Sequence, residues 1–107
     1  MQGKEKIAFV VRKSLDSWEG LRSTLGVLVE NLYGRVFFID CPIELPESKS
    51  EEEFAENLEM LEDLEGEAYT NHQADAERFE FLKFATLEEM LPLIKEYDLV
   101  VPFGDAK

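Results

Sequence analysis

Apolar and polar residues alternate along this chain in short blocks of two kinds. Ile7-Ala8-Phe9-Val10-Val11 is a nearly continuous apolar run, the pattern of a strand covered on both faces of a parallel sheet. Beyond the polar Arg12-Lys13-Ser14-Leu15, Asp16 and Glu19 have capping-box spacing, and Trp18, Leu21, Leu25, Leu28 and Leu32 recur at helical steps. Gly34 is placed to cap that helix, and Gly20 and Gly26 inside it suggest close packing on a sheet. Val36-Phe37-Phe38-Ile39 is a second buried-type strand, stopped by Asp40-Cys41-Pro42.

After a loop to Ser50, that serine and Glu53 form another capping box ahead of Phe54, Leu58, Leu61 and Leu64, with Gly66 as the stop. Glu67 to His72 reads as a more polar third strand at or near an edge. Arg78 to Phe84 alternates charged and aromatic residues, which predicts a half-exposed strand with Phe79, Phe81 and Phe84 on one face. Thr86 and Glu89 cap a last helix carrying Leu87, Met90, Leu91, Ile94 and Tyr97, which Pro92 should shorten or bend. Leu99-Val100-Val101-Pro102-Phe103 closes the chain as another buried strand.

Strands alternating with helices predict an α/β fold: three layers, with a mostly parallel sheet of four to five strands flanked by helices. No linker or repeat divides the 107 residues, so they form one domain. In such sheets ligands bind beyond the carboxyl ends of the strands. The candidates there are Arg12, Lys13 and Ser14 after the first strand, Asp40 and Cys41 after the second, Asn71 and His72 after the third, and Gly104 with Asp105 after the last.

Charge narrows the partners. A formal net charge of -13 repels phosphate backbones and argues against nucleic acid. The excess lies between Glu44 and Glu67, where Lys49 is the one base; a solvated helix face or docking of a basic partner would each account for it. No apolar run approaches membrane-spanning length, and the start Met1 to Lys6 lacks the features of a secretory signal, so a cytoplasmic location is expected.

The blocks Ile7 to Lys13, Leu21-Arg22-Ser23-Thr24-Leu25-Gly26-Val27-Leu28 and Arg35 to Asp40 resemble the opening of DsrE/DsrF-like proteins, also called the YchN-like fold. Thr86 to Ile94 running into Tyr97-Asp98-Leu99-Val100-Val101 is similar to the closing helix and strand of that superfamily, including its DsrH/TusB branch. The resemblance implies a small subunit that forms dimers, trimers or hexamers, and in several members a persulfide-carrying cysteine in the loop after the third strand. Here the matching stretch, Ala68-Tyr69-Thr70-Asn71-His72-Gln73, contains no cysteine, so the family's relay position is empty of sulfur.

Cys41, on another loop, is the candidate nucleophile for a sulfurtransferase or redox carrier, although Asp40 beside it disfavours a thiolate; a buried cysteine acting as a small hydrophobe is the alternative. His72 is a candidate base or, with Asp75 or Cys41, a metal ligand, but one histidine and one cysteine make a poor zinc set. No metal or cofactor is therefore expected. Arg12-Lys13-Ser14 could hold an anion, though without a phosphate loop's glycines. Trp18 and the phenylalanines at 79, 81 and 84 suit either a core or an oligomer surface. The expected role is an oligomeric domain binding a small ligand or a protein partner; the alternatives are a Cys41 carrier or a non-catalytic subunit of a hetero-complex.

Overall fold

The computed structural model describes residues 5–103. Five strands, β1 (Lys6–Val11), β2 (Tyr33–Phe38), β3 (Glu67–Thr70), β4 (Leu82–Phe84) and β5 (Leu99–Phe103), form one sheet in the order β4-β3-β2-β1-β5. Every pairing is parallel. Parallel neighbours need crossovers, and these are supplied by α1 (Ser17–Val29), α2 (Glu51–Asp63), the short α3 (Gln73–Arg78) and α4 (Leu87–Lys95). The expected three-layer α/β architecture is thus present.

Period-two alternation divides the strand side chains between the two faces. Ile7, Phe9, Val11, Val36, Phe38, Ala68 and Leu82 face α1 and α2 and form the main core with Leu21, Leu25, Phe54, Leu58 and Leu61. Phe54 stands at its centre, 5.0 Å from the Phe79 ring and 6.3 Å from Phe38. On the other face Ala8 and Phe37 meet Met90 of α4, with Tyr69 and Tyr97 packed around them.

Two helix starts follow their capping boxes. The Ser50 hydroxyl accepts from the Glu53 amide and the Glu53 carboxylate accepts from the Ser50 amide; Thr86 and Glu89 repeat the pattern. Asp16 does not cap α1. It closes a 3₁₀ turn, Ser14–Asp16, and its φ of −96° and ψ of 9° keep its side chain from the extended geometry an N-cap needs. The helix stops also differ from expectation. Asn31 and Glu65, both with φ of 70°, take the left-handed position; the amides of Leu32 and Gly66 then reach back to the carbonyls of Val27 and Leu61. Gly34 instead lies within β2.

The largest departure is in the segment expected to be an alternating strand. Residues up to Arg78 belong to α3, and only Leu82–Phe84 pair with β3. Phe79 is buried and Phe81 packs on the main core, whereas Phe84 is exposed, so the three do not share a face. The buried Asp75 carboxylate explains the helix: it accepts from the Ile43 amide and from Arg78, interactions that fix one turn after β3. β3 consequently lies inside the sheet, with β4 at the edge. β5 is the other edge, and Leu99 and Val100 are half exposed where full burial was expected.

Candidate functional site

The parallel sheet brings the loops after β1, β2 and β3 to one rim, where two polar constellations form. In the first, the Asn71 side-chain amide donates to Asp40 Oδ1 and its oxygen accepts from the Asp40 backbone amide, both at 2.8 Å. Asp40 has a φ of 56°, a left-handed conformation that aspartate tolerates better than most residues. The clasp joins the exits of β2 and β3.

The second constellation centres on Asp75. Its carboxylate accepts from the Ile43 amide at 2.7 Å, from Arg78 at 2.7 Å, and lies 3.0 Å from His72 Nδ1. Arg78 also pairs with Glu51 at 2.7 Å, tying α3 to the start of α2. A carboxylate this buried requires such partners, because desolvation without compensation is costly. The arrangement orients the half-exposed imidazole and directs Nε2 away from Asp75. Asp75 and Arg78 have helical i, i+3 spacing, but alternating aromatics mask that signal in the sequence.

Cys41 faces inward. It is buried, and its thiol lies 3.6 Å from the Val11 carbonyl. Burial, followed by the negative charge of Asp75, pushes its pKa up from 9.0 to about 11; Asp40 and Asp16 add to the effect. At neutral pH the group is a neutral thiol packed in the core cluster. His72 bonds to Asp75 and the Cys41 thiol to the Val11 carbonyl, and the two make no hydrogen bond with each other.

Arg12 and Lys13 are exposed, and the Arg12 amide extends the ladder to Phe103. The Ser14 carbonyl accepts from the Ser17 hydroxyl, which in turn accepts from the Glu44 amide, so this loop is held against the one containing Cys41. Gly104 and Asp105 lie outside the described residues. Among the described residues, no group of three or more His, Cys, Asp or Glu side chains could hold a metal ion.

A further cluster sits on the α4 side of the sheet. Glu67 accepts from Arg35 at 2.8 Å, Lys83 at 3.1 Å and the Tyr69 hydroxyl at 2.8 Å, while the Arg35 guanidinium lies over the Tyr97 ring. Lys6, Tyr33, Arg35, Glu96 and Tyr97 line a cavity of about 260 Å³ beside it, at the end of the strands opposite the rim. These residues are scattered through strand and helix blocks in the sequence, and the register of β2, β3 and β4 is what joins Arg35, Glu67, Tyr69 and Lys83.

No protein-family model matches the chain, and no match was found among curated proteins or solved structures. What defines its class is the fold: an all-parallel five-stranded α/β domain with a polar, hydrogen-bonded rim. Among the described residues, no helix is long and apolar enough to cross a membrane.

Proposed function

We propose that this chain is a DsrE-like cytoplasmic domain that assembles with copies of itself and binds a small ligand or protein partner at the rim, without serving as a sulfur carrier. The observation carrying this reading is the state of Cys41. A persulfide relay needs an exposed, readily ionised sulfur, whereas this thiol is buried, hydrogen-bonded to a carbonyl, and held protonated by burial and by the negative charge of Asp75. Around it the rim offers Asp40, Asn71 and the Asp75-oriented His72, groups suited to hydrogen bonding a ligand.

Self-assembly is supported by the α4 side of the sheet. A helix is about 10 to 12 Å across, whereas five strands at about 4.8 Å spacing span about 19 Å. Among the described residues α4 is the one helix on that face, and it cannot cover it. Toward β3 and β4 the remainder is polar and internally paired, but toward β5 Val100 is 43% exposed, and Leu91 of α4 is 47% exposed. A second copy would bury them.

Intact mass after incubation with a persulfide donor tests the first part. The expected result is no gain of sulfur in the wild type under conditions that label a known carrier; a gain lost in Cys41→Ser would establish the carrier instead. Sedimentation of wild type and Leu91→Lys tests the second. An oligomer reduced to monomers by the substitution is expected, and a wild-type monomer at tens of micromolar would refute it.

A further inference from the structure

The acidity of α2 is not explained by the helix itself. Glu51, Glu52, Glu53, Glu56, Glu59, Glu62 and Asp63 carry seven negative charges in thirteen residues, with no base. The first three suit a helix N-terminus, where the dipole favours anions. Glu59, Glu62 and Asp63 stand at the wrong end for that effect, and Glu52–Glu56, Glu56–Glu59 and Glu59–Asp63 are like-charged neighbours one turn apart, each costing about 0.2 to 0.5 kcal/mol. Two of the seven have internal partners: Glu51 holds Arg78, and Glu53 completes the capping box. The carboxylates of Glu52, Glu56 and Glu59 have no hydrogen bond or ion pair among the described residues.

Those three carboxylates border an apolar groove of about 170 Å³ between α2 and the turn before β4. Ala55, Leu58 and Phe81 form its apolar lining, and Glu80, likewise unpaired among the described residues, stands on the turn side. Phe81 packs on the core, so this wall is part of the folded framework. Apolar lining with carboxylates around it complements one kind of side chain, a methylene stem ending in a cation.

We propose that the groove between α2 and residues 80–81 binds a lysine side chain from a basic segment of a partner protein, its stem on Ala55 and Phe81 and its ammonium among Glu52, Glu56, Glu59 and Glu80. The site is independent of the rim and of the DsrE-like reading, and either can fail alone.

Fluorescence anisotropy with the full chain and labelled octa-lysine tests it, with octa-ornithine as the equal-charge probe whose stems are one methylene shorter. Glu56→Gln/Glu59→Gln is expected to weaken octa-lysine binding about tenfold, while Glu62→Gln/Asp63→Asn, removing the same charge outside the groove, changes it less than about twofold. Lysine is expected to bind about threefold more tightly than ornithine, from the methylene resting on the apolar wall. Equal losses in the two double variants, equal affinity for the two peptides, or no binding by the wild type would each overturn the proposal. All four substitutions are of exposed side chains, and circular dichroism verifies that the variants remain folded.

Discussion

The two faces of the sheet are built by the same strands and solve burial in different ways. Under α1 and α2 the strand side chains from β1 to β4 are aliphatic or aromatic apart from the buried Thr70, and the helices lie close enough that Phe54 touches rings from three other segments. Under α4 the buried apolar residues are Ala8, Val10, Phe37, Ala85 and Met90, and beyond them the face changes to Arg35, Glu67 and Lys83. The number of helices available sets the difference. Where one short helix must serve a face, the outer strands either pair charges among themselves or remain apolar for another molecule to cover.

Cutting a large side chain from each face should give the widest contrast. Phe54→Ala removes a fully buried ring enclosed by Trp18, Phe38 and Phe79, and about 3 to 5 kcal/mol of stability should be lost in urea unfolding. Met90→Ala also empties a fully buried position, but its surroundings include half-exposed Leu93, Ile94 and Tyr97, which can settle into the space. Its cost should fall near the lower end for such a change, about 2 kcal/mol. Equal losses would mean that the thinner layer is as rigid as the thicker one.

The paired charges of the α4 side should add a pH dependence. Burial alone would raise the Glu67 carboxyl, but hydrogen bonds from Tyr69 and Lys83 and the charges of Arg35 and Lys83 outweigh it and hold the pKa below its usual 4.5. Stability from this group is therefore complete above the ordinary carboxylate range and lost as pH falls through the depressed folded value. Burial, then the hydrogen bond and charge of Glu67, push the Tyr69 hydroxyl from 10.0 up to about 12. Its contribution is present below 10.0 and lost as pH rises toward about 12. Urea midpoints should fall less steeply in Glu67→Gln than in the wild type at the acid end, and less steeply in Tyr69→Phe at the alkaline end. Unchanged slopes in both would show that the cluster contributes no stability.

Most of this fold was legible in the sequence because apolar blocks and caps are local signals. Four of the five strand positions, the helices begun by Ser50 and Thr86, and the parallel arrangement follow from runs such as Ile7 to Val11 and from spacing that the backbone then uses. What misled was pattern without context. Arg78 to Phe84 alternates like a strand, yet the buried Asp75, whose partners Ile43 and Arg78 are distant from each other in sequence, winds its beginning into a helix. The rim was legible as a set of loops but not as a set of contacts. Asp40 with Asn71, thirty-one residues apart, and the inward turn of Cys41 toward Val11 depend on strand order, which no local spacing encodes. The Arg35, Glu67 and Lys83 cluster was invisible for the same reason.

Two glycines of α1 provide the finest test of how the helix meets the thick face. In sequence Gly20 and Gly26 are equivalent, both interrupting a helix and both suggesting close packing. In space they differ: a Cβ at Gly20 would collide with the Val11 side chain of β1, whereas one at Gly26 would meet nothing within 4 Å. Gly20→Ala should therefore force the helix off the sheet and cost about 1 to 3 kcal/mol, as overpacking does. Gly26→Ala adds a methyl in open space to a residue already helical, and restricting the unfolded chain should raise stability by about 0.4 to 1 kcal/mol. Thermal or urea unfolding of the two single variants decides the matter by sign. A stabilising Gly20→Ala would mean that α1 has room to withdraw from Val11, and a destabilising Gly26→Ala would mean that this outer side of the helix is covered by something, such as a second copy of the chain.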